Sequence, residues 1–366
     1  MKVVLQGRVE MKRILAGMLA LVLTPATFAA ELSSLIDDAQ KALASYEQIA
    51  GCGKDLEPCS SENFKKANMI LAISCTNNPG DFVFVRLAQD EVTYGEFRFT
   101  RGRPNGVGTR FSVKKPRGCS VLATRRAVHN TVTREIEEVV YTPYSPEIDT
   151  KEMREKGIKY LFGVVGEAEK NLYERQVPSI AFPGLPVALA APSIIAVHLA
   201  IVEHIDPKRM RSESMGHLMN EVLVVIAANG TNAYHYATSK QNARGLFQFT
   251  KPTYNMLLER YASAGLIEDF ITGAEDHVNA AEAALLLFDL DTEGLSVKKK
   301  DNFLKESLYW MEYLAASYNG GSGPAQKAMR ASGVLSIEKL FRETQGYIKK
   351  LRRLYKVLPK SEKDEA

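Results

Sequence analysis

The sequence changes character after its first half, and this change limits the folds available to it. All four cysteines fall in the first third, and residues 69–144 are rich in alternating apolar and aromatic residues. From Ser193 to about Tyr355, apolar residues recur instead at helical spacing. We therefore predict an α+β chain of two domains, with a small β-rich N-terminal domain and an all-α C-terminal domain.

Proline placement predicts where the two domains meet. Prolines punctuate the segment 177–192, which separates the two patterns. We assign residues 31–176 to the N-terminal domain, 193–355 to the C-terminal domain and 356–366 to a polar tail. A chain of 366 residues is long enough for both domains to have hydrophobic cores.

Residues 1–30 have the features of a cleaved signal peptide that starts at Met11. A positive stretch, Met11–Arg13, precedes the short apolar run from Ile14 to Leu23, and small residues lead up to Glu31. The apolar run is too short to span a bilayer as a helix. The sequence therefore predicts an exported protein that resides in the periplasm.

The cysteines agree with an exported protein, because disulfides persist in oxidising compartments. We predict that Cys52, Cys59, Cys75 and Cys119 are disulfide-bonded. Four cysteines allow three pairings, and the sequence does not choose among them. No Cys-x-x-Cys motif and no metal-type histidine spacing is present in the sequence, so we predict no metal site.

Composition adds little about binding partners. The net charge is +4, with 45% apolar and 25% charged residues, and the basic residues are scattered along the chain. A nucleic-acid partner is therefore not predicted. A mildly basic surface also suits an anionic polymer such as a cell wall.

Two polar motifs in the helical part look like the walls of one groove. The first, Ala243–Thr250, is a glycine-centred turn that runs into apolar residues around one amide. The second, Ala316–Gly321, lies about seventy residues downstream, and a polar, aromatic loop at 229–239 precedes the first. Gln248 and Asn319 stand in otherwise apolar settings, which favours a ligand-binding or structural hydrogen-bonding role.

These motifs resemble the lytic transglycosylase domain of the soluble lytic transglycosylase superfamily, which has a lysozyme-like α-helical fold. The resemblance covers roughly residues 190–335. It rests on Ser239, on Gly245-Leu-Phe-Gln248, on Ser317-Tyr-Asn-Gly-Gly321 and on the helical sequence Asn279–Phe288 between the motifs.

The resemblance implies cleavage of peptidoglycan glycan strands between N-acetylmuramic acid and N-acetylglucosamine, without a cofactor. In this family one Glu acts as acid and then as base, and the product is a 1,6-anhydro sugar. The resemblance also implies a set of substrate-binding residues: Ser239, Gly245, Leu246, Phe247, Gln248, Tyr234, Tyr236, Tyr318 and Asn319. For the tyrosines of the loop, packing beneath the loop is an equal alternative.

The position where the family usually keeps its Glu is Gly230 in this sequence. We predict Glu203 as the replacement, because the stretch Ser193–Pro207 resembles the family's catalytic helix, with an apolar run that closes on Glu203 and a segment that ends in Asp-Pro. The alternative is that Glu203 merely ends a helix and pairs with Lys208 or Arg209.

Two other carboxylates come into question as the acid. Glu213 belongs to a Glu-Ser dipeptide, but no apolar helix precedes it, which favours a solvated loop or a helix cap. Glu221 lies in the middle of a helix, where an exposed residue is expected.

Three hypotheses of function follow. The first is an exported lytic transglycosylase that uses Glu203 on peptidoglycan. The second is an inactive peptidoglycan-binding or scaffolding protein, in which Gly230 marks the lost acid. The third is a periplasmic assembly factor whose N-terminal domain binds an envelope protein.

Overall fold

The computed structural model describes residues 25–60, 63–88, 91–102, 110–129, 135–300, 307–330 and 332–358. Most of the expected signal peptide and most of the expected polar tail lie outside these ranges. Within them the chain is α+β, with strands in the first half and helices after them. The predicted fold class is thus confirmed at this level.

The N-terminal part contains two antiparallel sheets. Their strands are β1 (Met69–Cys75), β2 (Asn78–Leu87), β3 (Thr93–Tyr94), β4 (Phe97–Gly102), β5 (Arg110–Lys115), β6 (Cys119–His129) and β7 (Ile136–Tyr141). The larger sheet has the order β2-β1-β6-β7, and the smaller sheet has the order β3-β4-β5.

Strand β1 contributes side chains to two hydrophobic cores, because successive side chains of a strand point to opposite faces. Leu71 and Ile73 join the small core between the sheets, together with Phe111 of the smaller sheet. Ile70 and Ala72 join the main core on the other face. An unbroken apolar strand is therefore needed here, as its sequence indicates.

All four cysteines are disulfide-bonded, as predicted. Cys52 pairs with Cys59 seven positions later, and Cys75 pairs with Cys119 across a separation of 44. Cys75 and Cys119 are also direct partners in the β1–β6 register. The second bridge therefore joins two neighbouring central strands of the larger sheet.

The helices follow one another closely in the second half of the chain. They are α1 (Pro25–Ala44), which precedes the sheets, and then α2 (Lys151–Glu174), α3 (Val187–Ala190), α4 (Ser193–Val202), α5 (Met215–Asn229), α6 (Lys251–Arg260), α7 (Phe270–Glu275), α8 (His277–Glu293), α9 (Ser307–Gly320), α10 (Ser322–Ala328) and α11 (Arg342–Tyr355). Helix α2 packs against α4, α5 and α8.

The apolar segment 184–202 forms two short helices rather than one long helix. Helix α3 ends at Ala190, and α4 starts after Pro192, which occupies the N-cap position. Among the residues described, no helix has the length and apolarity needed to cross a membrane.

Side-chain hydrogen bonds tie the end of α5 to the N-terminal part. Asn229 accepts from the backbone N–H of Thr142 at 2.8 Å and donates to the Thr142 carbonyl at 2.9 Å. Gln40 of α1 donates to the Ala228 carbonyl at 3.1 Å. One hydrophobic core includes α1, the larger sheet and the helices. The predicted domain division at 177–192 stays a prediction.

Candidate active site

Glu203 directly follows α4, a helix enclosed by other helices. All eight residues from Ile195 to Val202 are buried, and the helix packs against α2, α8, α9 and α11. The helix ends before Asp206-Pro207, and a residue that precedes a proline is disfavoured in the helical conformation. The apolar sequence of α4 therefore carries Glu203 to the edge of the core, where its side chain is partly exposed.

Helix α11 supplies the groups around this carboxyl. The hydroxyl of Tyr347 donates a 2.6 Å hydrogen bond to Oε1 of Glu203. The buried Nζ of Lys350 donates to the carbonyls of Val202 at 2.8 Å and Ile205 at 3.2 Å. Lys350 thus satisfies carbonyls that the end of a helix would otherwise leave unpaired.

Partial burial at the edge of the core is the main influence on the charge of Glu203. It raises the pKa of Glu203, because an apolar environment disfavours the carboxylate form. The Tyr347 hydrogen bond and the Lys350 charge lower this pKa, and Glu343 raises it. Burial also lowers the pKa of Lys350. A carboxyl with a raised pKa and a partner for its ionised form suits both donation and acceptance of a proton.

The alternative ion pair of Glu203 with Arg209 is not formed, because Arg209 pairs elsewhere. Its guanidinium contacts Glu213 at 2.6 Å and Glu221 at 2.7 Å. Glu221 is buried rather than exposed on its helix. Arg209 thus holds both of the other carboxylates in one ion-pair cluster.

Gly230 directly follows α5, where it leaves an open position. Its φ of 54° lies in a region that favours glycine, and a Cβ placed there would meet no atom within 4 Å. Glycine carries no proton-transfer group, so this position supplies no acid.

The turn at 243–250 contains two residues with positive φ. Gly245 has a φ of 72°, and a Cβ there would lie 2.0 Å from the carbonyl oxygen of Ala274. Gln248 also has a positive φ, 51°, and its side-chain amide donates to the carbonyls of Gly245 at 2.8 Å and Ala237 at 3.2 Å. The amide of Gln248 therefore holds the turn itself.

Two side chains join this turn to the surroundings of Glu203. The hydroxyl of Tyr318 donates to the Phe247 carbonyl at 2.5 Å, and Nε2 of His204 donates to the Leu246 carbonyl at 2.9 Å. Burial raises the pKa of Tyr318, and the charge of Glu203 raises it further. The structure thus brings Glu203, Tyr318 and the turn together.

Asn319 and Ser239 differ in how their polar groups are used. Oδ1 of Asn319 is buried, and no hydrogen-bond partner for it is found among the described residues. Such a group is unusual in a folded protein and suits a ligand contact. Oγ of Ser239 accepts from the backbone N–H groups of Gln241 at 3.1 Å and Ala243 at 3.0 Å, so it shapes the approach to the turn.

The two tyrosines of the preceding loop have different environments. Tyr234 is 7% exposed and stacks on His204 with ring centroids 3.6 Å apart. This placement favours the packing role that the sequence left open. Tyr236 is partly exposed, and its ring lies 4.7 Å from that of His235 in an edge-on arrangement. Tyr236 is therefore the more accessible of the two rings.

Sequence reasoning missed Tyr347, Lys350 and the carboxyl of Glu275. Lys350 falls on the apolar face of α11 with Leu351 and Leu354, and all three are buried. A lysine on an apolar helix face signals a buried polar partner. No such local signal marks Glu275, which is buried beside Arg244 and His235.

Within the described ranges, no group of three or more His, Cys, Asp or Glu residues is arranged to hold a metal ion. A groove of about 990 Å³ lies elsewhere, beside the Cys52–Cys59 loop. Both signs of charge line it, with Lys54, Asp55 and Arg86 among its residues.

The helical part carries a glycine-centred turn that side-chain hydrogen bonds hold in place. A comparison with protein-family models identifies the family of this segment: residues 210–341 match the Transglycosylase SLT domain. The resemblance seen in the sequence is thereby confirmed for this part of the chain. The match starts after Glu203 and ends before α11. No curated protein and no solved structure gave a match.

Proposed function

We propose that this protein is an exported, periplasmic peptidoglycan lytic transglycosylase in which Glu203 is the acid and base. The observation that carries the proposal is the 2.6 Å hydrogen bond between Tyr347 and Glu203, at the end of a buried helix and beside the turn. The SLT match supports peptidoglycan as the substrate. The turn, Tyr318 and Asn319 lie within that match.

The reaction requires only one carboxyl because the substrate supplies its own nucleophile. The protonated Glu203 donates its proton to the glycosidic oxygen as the bond from that oxygen to C1 of the muramic residue breaks. The carboxylate then takes the proton of the muramic 6-hydroxyl while the oxygen of this hydroxyl bonds to C1. Glu203 ends protonated again, no water is consumed, and the products are a free sugar hydroxyl and a 1,6-anhydro ring. Hydrolases of glycans use a second carboxylate for the corresponding step.

The electrostatics of Glu203 support this cycle. Burial favours the protonated acid, while the Tyr347 hydroxyl and Lys350 stabilise the carboxylate that follows proton donation. Both forms of the side chain are thus supported, which a residue that alternates between acid and base needs.

The test is mass spectrometry of purified sacculi after digestion. Wild type is expected to release anhydromuropeptides, and Glu203→Gln is expected to release none while keeping its fold. Glu259→Gln, a matched change at an exposed position on α6, should keep full activity. Absence of anhydro products from wild type would rule the enzyme out.

A second candidate is a non-catalytic protein that binds or organises peptidoglycan. Gly230 favours it, because the usual acid position is open and has no carboxyl. This candidate predicts that wild type sediments with sacculi and that no new products form. For the N-terminal part, we infer an envelope-protein partner.

A further inference from the structure

The outward side of helix α11 carries a line of basic residues, which we call the basic face. Positions separated by four and then three residues lie on one side of an α-helix. In α11 and its C-cap such a line consists of Arg342, Gly346, Lys349, Arg353 and Lys356, and all five are exposed. The buried residues of the helix, from Thr344 to Leu354, lie on the opposite side.

The charges of the basic face are not neutralised by neighbouring acids. The sole acidic residue of α11 is Glu343, in its first turn. Arg352 lies beside the line but pairs with the buried Glu312 at 2.6 Å, so we leave it out of the basic face. Within the part of the chain that the structure describes, no ion pair involves a cation of the basic face.

A second segment extends this positive surface. Nη1 of Arg353 donates a 3.2 Å hydrogen bond to the carbonyl of Met210, which places the segment 208–211 against the end of α11. Lys208 and Arg211 of that segment are exposed. Arg209 between them is held by its own acidic partners. A surface of one sign, built from two segments, attracts an anionic partner.

Apolar side chains at both ends of the basic face favour a lipid surface as this partner. Phe341 directly precedes Arg342 and is 66% exposed, and Val357 directly follows Lys356 and is 41% exposed. Exposure of such groups to water costs free energy. A hydrated polyanion offers them no apolar environment, whereas a membrane interface offers acyl chains next to its phosphate groups.

The inner side of α11 remains free for its contacts with Glu203. Tyr347 and Lys350, which bond to Glu203 and to the end of α4, belong to the buried residues of the helix. A partner on the basic face would therefore leave these contacts intact.

We propose that the basic face, together with Phe341 and Val357, docks on a membrane that contains anionic phospholipids. Lysine and arginine donate hydrogen bonds to the lipid phosphates, and the two apolar side chains enter the boundary between headgroups and acyl chains. This inference concerns attachment and does not depend on the proposed reaction.

The test is sedimentation of the protein, in the form purified after export, with vesicles of phosphatidylcholine and phosphatidylglycerol in equal parts. Wild type is expected to sediment with these vesicles, more weakly at high salt, and not with phosphatidylcholine alone. A triple variant carries Lys349→Gln, Arg353→Gln and Lys356→Gln. Its affinity should fall about a hundredfold, since each basic residue at an anionic surface contributes on the order of fivefold.

The matched control removes the same charge from exposed positions of α2, with Lys151→Gln, Lys159→Gln and Lys170→Gln. It should keep most of the binding. No sedimentation of wild type with the anionic vesicles, or an equal loss in the α2 variant, would overturn the proposal. Release of anhydro products should be the same in the α11 variant as in wild type, and this activity also shows that the variant is folded.

Phe341→Ala distinguishes a lipid surface from an anionic wall polymer. It should weaken vesicle binding roughly three- to tenfold, because an apolar side chain no longer leaves water. Unchanged vesicle binding would overturn docking on lipid, because charge alone would then account for it. The same conclusion would follow if the α11 triple variant lost binding to sacculi but kept its binding to vesicles.

Discussion

Tyr347 donates a 2.6 Å hydrogen bond to Glu203 across 144 positions of sequence. The donor lies on the last helix of the described chain, and the acceptor follows a helix that precedes the SLT match. The proposed acid is therefore assembled from segments on both sides of that match.

Replacement of Tyr347 by Phe tests how this contact sets the acid. The hydroxyl favours the carboxylate, so its loss raises the pKa of Glu203 further. An acid with a higher pKa stays protonated to higher pH. The alkaline limb of the pH–rate profile for anhydro-product release should therefore move to higher pH.

Tyr355→Phe removes a hydroxyl from the same helix and serves as the control. Its side chain is 36% exposed, and its ring stacks on His198. A profile for Tyr347→Phe that coincides with that of wild type would contradict the role given to this hydrogen bond.

Two glycine substitutions, one in the turn and one in α2, should have opposite effects on stability. Gly245→Ala places a Cβ 2.0 Å from the Ala274 carbonyl oxygen at a φ of 72°, so it should destabilise the protein by more than about 1 kcal/mol. Gly163→Ala, inside α2 with open space around it, should stabilise by about 0.5–1 kcal/mol. Urea unfolding measures both, and a stable Gly245→Ala protein would show that the turn can move away from Ala274.

Buried histidines predict a loss of stability in mild acid. Burial lowers the pKa of His277 from 6.5 to about 4, while its ring nitrogens bond to Tyr160 and to the Ala233 carbonyl. Above pH 6.5 both folded and unfolded states are neutral at this residue. As the pH falls from 6.5 towards 4, only the unfolded state binds the proton, which costs about 1.4 kcal/mol per pH unit.

Glutamine at position 277 isolates this effect, because its amide can both donate and accept but does not titrate. The slope of unfolding free energy against pH should be smaller in His277→Gln by about 1.4 kcal/mol per unit between pH 6 and 5. Parallel slopes for the two proteins would show that His277 is charged in the folded state. His204, whose pKa burial lowers to about 3, should contribute in the same direction.

The two disulfides should differ in their contribution to stability. The chain-entropy estimate gives about 4 kcal/mol for the Cys75–Cys119 bridge and about 2 kcal/mol for Cys52–Cys59, because the first closes a longer loop. Urea unfolding of the double Cys→Ala variants gives both values. Equal losses of unfolding free energy would contradict a dependence on loop length.

The sequence predicted two parts of the site that depend on neighbouring residues alone, the helix before Glu203 and the turn at Gly245. The apolar run of α4 indicates that Glu203 follows a buried helix, and the glycine at 245 indicates a tight turn. Tyr347 and Lys350 escaped prediction because their contacts join distant segments that no local pattern relates. For Tyr234 the sequence left groove lining and packing open, and its ring stacks on His204, a contact that depends on where α4 ends.

The prediction for Gln248 shows a further limit. A lone amide among apolar residues indicates a hydrogen bond but does not indicate the partner. The positive φ of Gln248 turns its side chain back to its own turn. Backbone conformation, which the residue type alone does not specify here, decided the role of this side chain.

The hydrogen bonds from Thr142 and Gln40 to the last residues of α5 bear on how this protein can be divided. A fragment that begins at residue 193 would expose the amide of Asn229, the Ala228 carbonyl and the apolar face that α2 covers. Cutting the chain there would therefore cost stability. A fragment that keeps these contacts of the helical part would have to include α1, the larger sheet and α2.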